Sequence, residues 1–162
     1  RGSREVLGPL LSSGRAAFHL QPLGLRRQKG IADVSPLGRL RSLQTLDLSV
    51  CTSIQGVRPL GDCALLRTLI LTGCTRLRTV DGLERAAALA TLYLTGCASL
   101  HNDGVAMLPD CASLTHLHLN KCRGVTDVSR LGHCASLRVL NLRGSGAAVV
   151  APGRDGLQVI FT

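Results

Sequence analysis

Leu89-Ala-Thr-Leu92-Tyr-Leu94-Thr-Gly-Cys97 has the form L-x-x-L-x-L-x-x-C, and it decides the fold because it is not alone. The same comb stands at Leu43-Gln-Thr-Leu46-Asp-Leu48-Ser-Val-Cys51 and at Leu66-Arg-Thr-Leu69-Ile-Leu71-Thr-Gly-Cys74. It recurs at Leu114-Thr-His-Leu117-His-Leu119-Asn-Lys-Cys122 and at Leu137-Arg-Val-Leu140-Asn-Leu142-Arg-Gly-Ser145. Successive combs start 23, 23, 25 and 23 residues apart. Recurrence at a period of roughly 20–29 residues marks a chain of stacked units, each burying its apolar side against the next.

Inside each comb the second and third leucines are two residues apart. They therefore share one face of a strand, and the residues between them take the other face. One strand per unit builds a parallel sheet. The second half of each unit also keeps register: Ile31, Ile54, Leu77, Leu100 and Val125 align, followed three residues on, or five in the longer fourth unit, by Val34, Val57, Val80, Val105 and Val128. Three further on come Leu37, Leu60, Leu83, Leu108 and Leu131. Apolar residues at intervals of three predict a short helix or 3₁₀ segment in the return limb, kept short and irregular by Pro36, Pro59 and Pro109. Strands stack at about 4.8 Å and helical limbs need about twice that, so the stack bends with its sheet on the concave side.

Leu20-Gln-Pro-Leu23-Gly-Leu25 is a degenerate first comb, and its Pro22 suits only a terminal strand. Repeats then start near residues 20, 43, 66, 89, 114 and 137, giving one repeat domain over residues 20–162. The two extra residues of the fourth unit fall around Asn102-Asp103-Gly104 and lengthen its return limb. The pattern fades after Leu142, and residues 157–162 read as a shortened terminal strand. Residues 1–19 have no clear period and form an N-terminal arm or cap, either covering the first layer or lying on a partner. The chain begins at Arg1, which points to a fragment or processed form, and Arg1, Arg4 and Arg15 among Ser and Ala resemble the rear of a transit peptide.

Aromatic residues make up only 2% of the 162-residue chain and there is no Trp, so the core must be built from Leu, Val, Ala and Cys. The net charge is +9, with +6 of it in residues 1–41, a balance that favours an anionic partner such as RNA, an acidic protein face or a membrane surface. Seven cysteines without a C-x-x-C pair indicate an intracellular, reducing compartment, cytoplasmic or mitochondrial. There is no run of 18 apolar residues, hence no membrane span. The cysteines fall in two columns, one closing the comb and one on the return limb. Gaps of about one repeat suit buried structural thiols that bond the turn backbone, whereas zinc ligands cluster two to four residues apart.

The stretch Cys111-Ala-Ser-Leu114-Thr-His-Leu117-His-Leu119-Asn-Lys-Cys122-Arg-Gly-Val125-Thr-Asp-Val128 resembles the leucine-rich repeat family, in particular its cysteine-containing subtype known from F-box substrate receptors. The resemblance covers about residues 20–145. It implies an α/β, right-handed leucine-rich-repeat solenoid, a horseshoe arc with a parallel concave sheet and short helices or 3₁₀ turns on the convex side. It also implies protein binding in general. No F-box-like helical domain is visible in residues 1–19.

The concave face is the natural partner surface. Its central row is Asp47, Ile70, Tyr93, His118 and Asn141, flanked by His116 on one side and Arg143 on the other. Tyr93 and Ile70 at its middle are where a binding hot spot is expected; the alternative is a solvated Thr-rich sheet face. His116 and His118 project together, but no acidic or Cys residue is forced beside them, so no metal is expected. No nucleophile–base pair, phosphate loop or dinucleotide motif is present, and no enzyme, cofactor or small-molecule substrate is expected. Arg26, Arg27, Lys29, Arg39 and Arg41 form a basic cluster able to contact phosphates, with Lys121 and Arg123 repeating two of its positions. The expected function is a non-catalytic protein-interaction scaffold, a subunit of a larger assembly. The alternatives are a basic ribonucleoprotein component, such as part of a mitochondrial ribosome or its assembly machinery, and the substrate-recognition arm of a ubiquitin ligase.

Overall fold

A computed structural model describes Gly8, residues 22–148 and residues 155–161. The arm at 1–19, apart from Gly8, together with Leu20, Gln21, residues 149–154 and Thr162, lies outside the described residues. Among the described residues, seven strands form one sheet in strict chain order. They are β1 (Leu23–Gly24), β2 (Thr45–Asp47), β3 (Thr68–Ile70), β4 (Thr91–Tyr93), β5 (His116–His118), β6 (Val139–Asn141) and β7 (Gln158–Ile160). Every pairing is parallel and in the register the combs dictate: Leu46 meets Leu69, which meets Leu92, Leu117 and Leu140 in turn, and Leu140 meets Val159. Each of these leucines is fully buried.

The strands are short, but the hydrogen-bond ladder outlasts them. Leu48, Leu71, Leu94 and Leu119 donate to Ile70, Tyr93, His118 and Asn141 of the next repeat, each at 2.8 Å. Two residues later Arg27, Val50, Gly73, Gly96 and Lys121 do the same at 2.7–2.9 Å. The chain then turns inward, and this eighth position of the comb is left-handed in all six repeats. Gly73, Gly96 and Gly144 adopt φ of +72°, +72° and +66°, while Arg27, Val50 and Lys121 hold +61°, +61° and +60°. A non-glycine residue there costs about 1–3 kcal/mol.

From the turn onward the chain advances in threes. In the second repeat Leu48, Cys51, Ile54, Val57, Leu60, Cys63 and Leu66 are spaced by three and all buried. Cys51 donates to Leu48, Ile54 to Cys51, Leu60 to Val57, Cys63 to Leu60 and Leu66 to Cys63, at 2.9–3.3 Å. Three residues per turn is the 3₁₀ geometry, so the apolar spacing and the backbone bonding select each other. The return limbs are accordingly 3₁₀ segments: Leu37–Arg39, Arg58–Asp62, Leu83–Arg85, Asp103–Val105, Leu108–Asp110 and Ser129–His133. The longer fourth repeat carries two of them, which absorbs its two extra residues outside the sheet. Limbs this thin bend the stack less than α-helices would.

Close limb stacking has a requirement the combs do not reveal. A Cβ on Gly61 would sit 2.0 Å from the Gly82 carbonyl oxygen, and one on Gly38 would sit 2.3 Å from that of Pro59. Neighbouring limbs thus touch backbone to backbone.

Candidate functional site

The in-register strands place Asp47, Ile70, Tyr93, His118 and Asn141 side by side in one row, as the sequence implies. Val139 and Thr91 flank His116 in the row before it. Tyr93 and His118 stack face to face, with ring centroids 4.4 Å apart and planes 10° from parallel. Burial, reinforced by the charge of His116, pushes the His118 pKa below its ordinary 6.5. The row's centre is therefore a neutral aromatic platform next to Ile70. His116 is exposed, with Nδ1 2.9 Å from the Thr115 hydroxyl. Among the described residues, no group of three His, Cys, Asp or Glu side chains is placed to hold a metal.

Polar groups fix the platform's flanks. Asn141 Oδ1 accepts from Asn120 Nδ2 at 2.8 Å and from the Arg143 backbone at 3.2 Å. Asp47 accepts from the Ser49 backbone at 2.8 Å and from the Ser49 hydroxyl, and it pairs with Arg26 at 3.4 Å. Ser49 is only 2% exposed, so the row behind Asp47 is partly closed to a partner. Asn120 Oδ1 is buried without a protein partner.

The five basic residues singled out in the sequence do not form one patch. Arg26, Arg27 and Lys29 follow β1 at the C-terminal edge of the sheet. Arg39 ends the Leu37–Arg39 segment, and Arg41 lies just before β2, at the opposite edge. The stretch from Leu43 to Ser49 that separates those edges is about 20 Å long. Arg26 is engaged with Asp47, and a shallow cavity of about 310 Å³ opens beside Arg26 and Arg27. A second cavity, of about 220 Å³, lies on the convex side where Asn102 and Asp103 meet Asp127 and Arg130. Asn102 closes its rim by accepting from the Thr126 and Asp127 backbones at 2.8 and 3.1 Å.

The comb cysteines are buried and free, and each thiol donates to a leucine carbonyl of the preceding repeat. Cys51, Cys74, Cys97 and Cys122 reach Leu25, Leu48, Leu71 and Leu94 at 3.1, 3.2, 3.3 and 3.0 Å. Burial pushes the Cys74 and Cys111 thiols up to about 12 and that of Cys63 to about 11. These thiols are structural bonding groups held far from the reactive thiolate form.

An open parallel sheet backed by 3₁₀ limbs, with a leucine comb in each of its first six layers, is a leucine-rich-repeat solenoid. Solved structures of this fold superpose on the chain. Internalin C2 of Listeria monocytogenes does so with TM-score 0.54 and 21% identity, over 82% of this chain and 67% of that one. The leucine-rich repeat domain of APL1B gives 0.56 and 18%, over 87% of this chain and 42% of that one. The yeast Rad7–Elc1 complex gives 0.53 and 17%, over 99% of this chain and 58% of the matched one. The chain thus spans about half the length of the last two. No protein-family model and no curated protein sequence matches it.

Proposed function

We propose that this chain is a non-catalytic interaction scaffold whose sheet face, centred on Tyr93 and His118, holds a protein partner within a larger assembly. The observation that carries this reading is the stacked aromatic pair beside Ile70 on an otherwise polar face. Large planar groups at the centre of a contact, ringed by small polar ones, are where binding energy concentrates. Rad7, a solenoid of the same fold, was solved in complex with Elc1, which is the kind of use proposed here. Seven unpaired, buried thiols support residence in a reducing intracellular compartment. The ribonucleoprotein and ubiquitin-ligase readings remain alternatives at a finer level.

The test is site-specific photocrosslinking from position 93. With a photoreactive phenylalanine analogue replacing Tyr93, irradiation in the native cell gives a discrete protein adduct. The same analogue at Arg58, on the convex side, does not give that adduct. A protein that migrates as a free monomer with no adduct from position 93 overturns the proposal.

A further inference from the structure

A second surface, separate from the Tyr93 platform, runs along one edge of the stack and carries charge of a single sign. Positions eight to thirteen, counted from the first leucine of each comb, form the turn that leaves the sheet. Across all six repeats these positions hold Arg27, Lys29, Arg76, Arg78, Lys121 and Arg123, and no carboxylate. Eight of the ten acids fall at the fourteenth position or later, beyond that turn. Both signs are common in the chain, yet this edge carries only one.

Three structural facts make the edge a surface and not a tally. All six side chains are exposed. Among the described residues the ion pairs are Arg26–Asp47 and Arg85–Asp62, so none of the six is neutralised by one. Arg27 and Lys121 occupy the left-handed turn position filled by glycine in three other repeats, and their backbone N–H groups are pinned at 2.7 and 2.9 Å to Ser49 and Arg143. A long cation is kept where glycine fits without strain, and strained residues concentrate where they serve binding.

The cations come in pairs on the first, third and fifth repeats, with none on the second and fourth. The ladder holds layers about 4.8 Å apart, so successive pairs lie about 10 Å apart along the stack. A peptide in the polyproline II conformation has three residues per turn and rises about 3.1 Å per residue, so carboxylates three residues apart lie on one face at about 9 Å, close to that interval. Nucleic-acid phosphates are more densely spaced, and the six turns contain no Phe, Tyr or Trp on which bases could stack. We infer that the carboxylate-free turn edge binds an extended acidic peptide segment of a partner protein, with carboxylates at intervals of three residues.

Fluorescence anisotropy on the full chain tests this with two labelled probes, a (Ser-Asp-Gly)₅ peptide and a 15-nucleotide oligouridylate. The expected result is saturable peptide binding that weakens with salt and exceeds oligouridylate binding. Arg76→Glu with Arg78→Glu weakens it by about tenfold, and Arg58→Glu with Arg130→Glu on the return limbs leaves it within about twofold. Circular dichroism confirms that both double variants fold. Absence of saturable peptide binding at low salt, equal loss in the two double variants, or tighter oligouridylate binding each overturns the inference. Tyr93→Ala leaves peptide binding unchanged, which separates this edge from the sheet-face proposal.

Discussion

Replacing Gly61 by alanine adds a single methyl group, and the structure specifies what it meets. Gly61 lies in the Arg58–Asp62 segment, and its Cβ would be 2.0 Å from the Gly82 carbonyl oxygen and 2.9 Å from its carbon. An unstrained contact needs about 3.5 Å, so the second and third return limbs must part by more than an ångström. A gap of about 0.5–1 Å already forfeits a quarter to a half of each dispersion contact across it. The contacts at risk are those of Leu60 and Leu83, both fully buried, together with the Arg85 guanidinium bond to the Arg58 carbonyl at 3.0 Å. Overpacking costs of about 1–3 kcal/mol are usual, and a backbone-to-backbone clash belongs at or above the upper end, about 3 kcal/mol. In a chain of this size that lowers Tm by about 6–12 °C. Gly96→Ala is the control, since its Cβ meets nothing within 4 Å and only the φ of +72° resists it. That variant loses about 1 kcal/mol. Urea unfolding followed by circular dichroism measures both. If Gly61→Ala costs no more than Gly96→Ala, limb-to-limb backbone contact does not hold this stack together.

Two further outcomes depend on titration. The Cys63, Cys74 and Cys111 thiols are raised from 9.0 to about 11 or 12 by burial, so the folded chain keeps protons that the unfolded chain releases. Their contribution to stability is complete below pH 9.0 and is lost as pH rises from there toward 11–12, so the urea midpoint falls between pH 9 and 10.5; a flat profile refutes the buried-thiol account. Tyr93 is the single tyrosine of a chain without tryptophan, so ultraviolet emission reports on its stack with His118. The His118 pKa is lowered, so its neutral form is favoured in the fold and the associated stability is lost as pH falls below 6.5. Emission then changes with a midpoint below 6.5, and His118→Gln removes the change; a midpoint above 6.5 contradicts the burial of that ring.

Strand register, core columns and the 3₁₀ character of the limbs were legible because each rests on a period, two in the strand and three in the limb. A period survives in one dimension. The concave row was legible for the same reason, since alternate comb positions must face together. The stacking of Tyr93 on His118 was not, because it depends on rotamers and not on register. Nor was the burial of Ser49, which shares the strand face with Asp47 and folds its hydroxyl onto that carboxylate one row away. The left-handed turn was hidden by Arg27, Val50 and Lys121, which disguise a position that Gly73, Gly96 and Gly144 would have announced. Gly38 and Gly61 share the nineteenth position of their repeats, a signal present in the letters that only the approach of two backbones explains. The basic residues near the start looked like one cluster because sequence distance ignores the return path, which sends Arg39 and Arg41 to the far edge of the sheet.

Each layer bonds only to the one above and the one below, and it does so with the same atoms every time. Thr45, Leu46 and Asp47 face Thr68, Leu69 and Ile70, which in turn face Thr91, Leu92 and Tyr93. Excising residues 66–88 would set β2 against β4 with threonine opposite threonine and leucine opposite leucine, as though a storey had been withdrawn from a building and the floors had closed. Length in this architecture is quantised, and a gene encoding it can lengthen or shorten its product by whole storeys without inventing a new joint.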